Sequence, residues 1–170
     1  MAKEIITILD PLLKQKSGEV ETFDNNLEDL VKDMLETMKH HQGVGLAAVQ
    51  IGTPLRVLTY LGYDGKAGFM VNPVIVQRSE KIIDSEEGCL SVLGDSDAGI
   101  VTMPRHEWIK VKFRDLKGDE SEMLAEKRNS VVIQHEIDHL DGICITDSLS
   151  PLKRDMIRRR ISKLERYKIE

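Results

Sequence analysis

The feature that most constrains this chain is a run of ionisable groups set inside an apolar helical pattern. His135-Glu136-Ile137-Asp138-His139 is flanked by Val131, Val132, Ile133 and Leu140. Periodicity from Ser130 to Leu140, followed by Gly142, predicts a helix with a left-handed stop. Its apolar members demand burial on most sides, and burying two histidines, a Glu and an Asp without partners would be costly. The fold must therefore wrap this helix and give its polar groups something to hold. Histidines four apart share one helix face, so their imidazoles can converge on a single ion, at about 2.0–2.1 Å if it is zinc. Glu136, one step round the helix, can act on water beside that ion without being a ligand. A solvated helix could carry the same spacing, but the apolar flanks argue against it.

The rest of the chain supplies material for the wrapping. At 170 residues with 41% hydrophobic content, it suits one domain and one core. With aromatics at 4%, that core must come mainly from Ile, Val and Leu. Leu27, Leu30, Val31, Met34, Leu35 and Met38 recur at helical spacing across Asn25–His41, with Asp24 or Asn25 as N-cap and Gly43 as stop. Short β-rich runs follow at Arg56–Tyr60, Gly68–Val71, Val74–Val76 and Trp108–Phe113. Asp64-Gly65 is the stronger hairpin signal and Lys117-Gly118-Asp119 a second turn. Pro151 opens a final helix. The expectation is an α+β domain spanning residues 1–170, with antiparallel sheets around the central helix, an N-terminal helix and a basic C-terminal helix over 151–170.

Several function classes recede on composition. No apolar run is long enough to span a membrane, and Met1-Ala2-Lys3-Glu4-Ile5 lacks a signal-peptide core, so a cytoplasmic protein is expected. Cys89 and Cys144, the two cysteines, are then expected as thiols, free or metal-bound. Net charge is −5, unevenly spread: from Pro151 onward eight cations face three acids, a net of +5 that leaves −10 on the first 150 residues. Such a tail suits an anionic partner, although nothing points to DNA or a membrane.

A catalytic metal usually has three protein ligands and one open position. A third histidine in the metzincin pattern would fall at Ile145, and the only downstream glutamates, Glu165 and Glu170, lie in the charged tail. The third ligand is expected upstream, among Cys89, His40, His41 and His106, with Cys144 a weaker alternative. Local chemistry favours Cys89, because Gly88 beside it permits close backbone approach. Cys144, between Ile143 and Ile145, reads better as a buried inert thiol. Gly43-Val44-Gly45, taken alone, reads as a helix stop leading into an apolar strand.

Together, Gly43-Val44-Gly45-Leu46-Ala47-Ala48-Val49-Gln50, Glu87-Gly88-Cys89-Leu90-Ser91 and Gln134-His135-Glu136-Ile137-Asp138-His139-Leu140 resemble the three signature motifs of peptide deformylases, in order. The resemblance extends from Ile8-Leu9-Asp10-Pro11 to Asp147–Lys153, nearly the whole chain. It implies a metallohydrolase that removes the formyl group from N-formylmethionyl nascent peptides. It assigns Cys89, His135 and His139 as metal ligands and Glu136 as the acid–base group. Gln50 and the Leu90 N–H become donors to the reacting oxygen. Val44, Gly45, Val131 and Val132 line the substrate cleft, with His135 beside the methionine pocket. Glu87 is expected to pair with Arg105. One divalent metal per chain is implied, Fe²⁺ natively, with Zn²⁺, Ni²⁺ or Co²⁺ as substitutes, and the basic tail suggests ribosome docking.

The chain departs from the family after the cysteine motif, where Leu93 replaces a common proline. Gly94–Ile100 is longer and more acidic than usual, and is expected to be a flexible loop near the cleft. Competing readings are a zincin-like peptidase, which lacks a conventional third ligand here, and a deformylase-like binder without turnover.

Overall fold

The computed structural model describes residues 1–92 and 99–167. Its first long helix, α1 (Asn25–His40), starts where Asp24 accepts hydrogen bonds from the N–H groups of Asn26 and Leu27 at 3.0 and 3.2 Å. Its end corrects the expectation. Gln42, not Gly43, takes the left-handed conformation, with φ 53°, while Gly43 N–H returns to Met38 O at 2.9 Å. A Cβ at 43 would sit 2.8 Å from a Leu90 methyl, so a larger residue there would push that side chain aside.

Among the described residues seven strands follow, in two antiparallel sheets. They are β1 (Gly45–Ala47), β2 (Val57–Leu61), β3 (Ala67–Arg78), β4 (Ile82–Glu87), β5 (Val101–His106), β6 (Trp108–Arg114) and β7 (Glu120–Glu126). The larger sheet has the order β1-β2-β3-β6-β7, and β4 pairs with β5 in the smaller. Gly65, with φ 78°, turns β2 into β3, and Gly118, with φ 86°, turns β6 into β7. The two β-rich runs expected at 68–71 and 74–76 are one strand, interrupted by a register irregularity where Asn72 adopts φ 50° ahead of Pro73.

The central helix, α2 (Lys127–Leu140), begins three residues earlier than its apolar periodicity, directly after β7. Lys127 makes that corner with φ 52°. At the other end Gly142 has φ 77°, and Ile143 N–H returns to Asp138 O at 2.9 Å. A side chain on Gly142 would meet the Lys14 carbonyl at 2.7 Å. Arg56 donates to Leu140 O at 3.2 Å and to Asp141 at 2.8 Å, setting a cation at the helix's negative end. Gln134 locks the helix to β5, accepting from His106 N–H at 3.0 Å and donating to His106 O at 2.9 Å.

Around α2 lies a core of Leu13, Leu58, Met70, Ile109, Ile133, Leu140 and Ile161, all fully buried. A second cluster joins α1 to the start of the large sheet through Val31, Met34, Leu46 and Val57. The last helix, α3 (Pro151–Tyr167), inserts Ile161 into the main core. Its packing stripe is narrower than the pattern Leu152, Met156, Ile157, Ile161, Leu164 suggests: Leu152 and Met156 are 71% and 62% exposed. Among the described residues no helix is long and apolar enough to cross a membrane. Positions 93–98 of the acidic loop lie outside the described residues.

Candidate active site

The inward face of α2 meets the end of β4 at a cleft of about 690 Å³. His135 and His139, buried and one helical turn apart, hold their rings 5.0 Å centre to centre at 76°. Cys89, in the short link between β4 and a 3-10 turn at Leu90–Val92, brings Sγ to 3.2 Å from His139 Nε2. One donor atom from each of the three lies within 4.8 Å of the others. Among the described residues this is the one group of three or more His, Cys, Asp or Glu so arranged. His40, His41, His106 and Cys144 are outside it; Cys144 is buried in the main core.

A charged scaffold orients the cluster. Glu87 Oε2 faces His135 Nδ1 at 2.9 Å. Arg105 grips the same carboxylate with two bonds of 2.6 and 2.8 Å and donates a third, at 2.6 Å, to Asp138. Arg105 and Glu87 are both about 5% exposed at the side chain, so the pair anticipated from sequence is an interior one. Burial alone would raise the Glu87 carboxyl, but Arg105 and His135 outweigh it and hold it below the usual range. Asp138, to which the motif alone assigns no role, joins this scaffold from α2. The contact spans 33 residues, which local pattern could not reveal.

Electrostatics favour a cation at the centre. Burial pushes the Cys89 thiol up, yet the imidazoles of His139 and His135 hold it well below the usual thiol range. Burial likewise pulls both imidazoles down, and neighbouring anions reverse the sign: His135 is driven up to about 10, with Cys89 and Glu87 the main causes, and His139 is raised by Cys89 above all. Cys89, His135 and His139 thus favour a thiolate beside positive charge at the point where their donor atoms converge. A divalent ion satisfies the same three donors, and sulfur with two nitrogens is a coordinating set.

Glu136 is 4% exposed, and its Oε2 has no hydrogen-bond partner. Burial raises its carboxyl to about 7, against the lowering pull of His135 and His139. Gly45 makes room for it, since a Cβ there would lie 2.2 Å from Glu136 Oε1 and 2.9 Å from a Val132 methyl. Gln50 is aimed by two contacts. Its Oε1 accepts from Ala47 N–H at 2.8 Å, and its Nε2 donates to Ser91 Oγ at 3.1 Å, with Cys89 Sγ at 3.8 Å. Ser91, another residue that sequence reasoning left without a role, therefore orients this amide. Val44, Gly45, Leu90, Val131 and Val132 line the same cleft.

The profile of the family described as Polypeptide deformylase matches residues 2–155. The chain belongs to the polypeptide deformylase family. Peptide deformylase from Maricaulis maris is 41% identical, covering 98% of this chain and 95% of that protein. The Rickettsia akari peptide deformylase is 40% identical over 95% of each. Among solved structures, peptide deformylase from Ehrlichia chaffeensis in complex with actinonin superposes with a TM-score of 0.90 at 36% identity, covering 97% and 98% of the two chains. That of Legionella pneumophila gives 0.89 at 38%, covering 100% and 99%. The α+β architecture and antiparallel sheets of this deformylase-family chain match those structures.

Proposed function

We propose that residues 1–170 form one catalytic domain that hydrolyses the N-formyl group of N-terminal formylmethionine on nascent polypeptides, releasing formate. The observation that carries this reading is the unpartnered Glu136 carboxylate beside the converging Cys89, His135 and His139 donors, in a cleft walled by Val44, Val131 and Val132. Cys89, His135 and His139 would hold one divalent ion, a Lewis acid that polarises the formyl carbonyl and acidifies water. Glu136 takes the proton from the attacking water as its oxygen bonds to the formyl carbon. The Gln50 amide and the Leu90 N–H donate to the developing oxyanion; each such donor is typically worth about 10²–10³ in rate. Glu136 then hands the proton to the departing amine as the C–N bond breaks. The methionine side chain enters between Val44, Val131 and Val132, beside His135.

Fe²⁺ is the native ion in this reading, with Zn²⁺, Ni²⁺ or Co²⁺ able to replace it, because one thiolate with two imidazoles suits all four. An iron–thiolate site would be oxygen-sensitive through oxidation of sulfur. The compartment is cytoplasmic, and α3 docks on the ribosome through its exposed Arg159, Arg160 and Lys163. Removing α3 would also strip Ile161 from the core, so charge reversal of those three is the cleaner test. Unchanged cosedimentation with ribosomes would contradict docking.

The decisive assay is formate release from formyl-Met-Ala-Ser by anaerobically purified, Fe²⁺-loaded protein, beside Glu136→Ala. Formate from the native protein, lost in a variant that keeps its metal, is the expected result. A folded, metal-replete native protein that releases none would contradict the proposal.

A further inference from the structure

Arg128 lines the same cleft from the first turn of α2. It is exposed and makes no ion pair among the described residues. Its sign is wrong for its place: a helix N-terminus carries positive partial charge and favours acids. Yet the first turn of α2 contains no acid, and its N-cap, Glu126, makes no side-chain capping bond. Two cations, Lys127 and Arg128, therefore stand at the positive end of a helix whose C-terminal half carries the reacting groups. An anionic group brought into the cleft would satisfy the guanidinium and the helix end together.

We infer that Arg128 selects nascent chains by the charge of their third side chain, favouring acids over bases. The inference rests on the deformylase reading of the cleft. His135, then Val131 and Val132, then Arg128 step along α2 toward its N-terminus, three to four residues at a time. At 1.5 Å per residue, Arg128 lies roughly 10 Å along the axis from His135 and about 5 Å beyond the valines. An extended peptide with its formyl group at His135 and its methionine between the valines continues in that direction. Its side chains alternate in direction, so the third residue returns to the helix side about 7 Å beyond the first. The second points away. Glu86, the other exposed charge at the cleft, belongs to β4 rather than to this line.

The test is kcat/KM of the metal-loaded full chain on C-terminally amidated peptides. Formyl-Met-Ala-Glu and formyl-Met-Ala-Lys are compared, with formyl-Met-Ala-Ser as reference and a matched Glu/Lys pair at position 2. The native Glu-to-Lys ratio at position 3 should be roughly three to five, the scale of a solvent-screened ion pair, and should shrink at high salt. Arg128→Gln should bring the ratio near one, Arg128→Glu invert it, and Arg128→Lys keep its sense. Because each ratio is taken within one protein, a variant's overall loss of rate does not confound it. A position-3 ratio unchanged across the variants, or a change carried equally by position 2, would overturn the inference while leaving the deformylase reading intact. Failure of the native protein to deformylate even the Ser peptide would instead overturn both.

Discussion

Helices α2 and α3 are of similar length and lie in the same domain, yet they use burial in opposite ways. On α2 the buried residues include Ser130, Gln134, His135, Glu136 and His139, polar groups normally kept at the surface. On α3 the apolar Leu152 and Met156 are left in solvent, and among its described side chains Ile161 alone is fully buried. The polar groups of α2 are tolerated because other elements meet them: His106 of β5 bonds Gln134 and Ser130, Glu87 of β4 meets His135, and Arg105 of β5 meets Asp138. Helix α3 is anchored more lightly, through Ile161 with half-buried Ile157 beside it, a bond of 2.5 Å from Thr7 to Glu165 and one of 3.3 Å from Arg158 to Ile8 O. Burial on α2 fixes the geometry of the Cys89–His135–His139 cluster, whereas α3 leaves a charged face in solvent.

That contrast can be broken from the α2 side first. Arg105→Ala would leave Glu87 and Asp138 without their shared cation, and breaking a buried pair typically costs about 3–5 kcal/mol. Urea unfolding of the metal-free protein should show a loss of that size; a loss below about 1 kcal/mol would mean that the scaffold is solvated. On α3 the effect should depend sharply on position. Ile161→Ala should cost about 2–5 kcal/mol by opening the main core. Leu152→Ala and Met156→Ala should stay within about 0.5 kcal/mol, and equal costs at all three sites would erase the distinction.

A smaller loss than at Arg105 or Ile161 sharpens the junction between the helices. Asp147 accepts from Cys144 N–H at 2.8 Å and pairs with Lys14. Burial raises its carboxyl, but the Cys144 N–H and Lys14 lower it more, and the net shift is downward. A depressed native value means stabilisation that is present above the unfolded value near 3.8 and lost as pH falls through the native one. Asp147→Asn should cost about 0.5–1 kcal/mol at pH 7, allowing for solvent screening. That difference should vanish in acid below the native value. A pH-independent difference would assign the effect to packing.

Much of the site was legible because its chemistry is local. The His135–His139 spacing and the apolar flanks placed the helix, and the resemblance named Cys89, Gln50 and Leu90 beside it. The sheet was less legible. Glu120–Glu126, rich in Glu, Met, Leu and Ala, lacks β-branched residues, yet forms an edge strand because β6 offers it a pairing partner. Val101–His106 contains Pro104, which argues against a central strand, and it pairs on one side only, with β4. Asp138 and Ser91 stayed hidden for another reason: their partners, Arg105 and Gln50, are 33 and 41 residues away.

The central claim is that Cys89, and not Cys144, completes a metal site with His135 and His139. It is tested most directly by Co²⁺ titration of the native protein beside Cys89→Ser and Cys144→Ser, read by thiolate-to-metal charge-transfer absorption. One equivalent should bind in the native protein and in Cys144→Ser with that absorption present, and Cys89→Ser should lose it. Absorption that survives in Cys89→Ser, or disappears in a folded Cys144→Ser, would contradict the account.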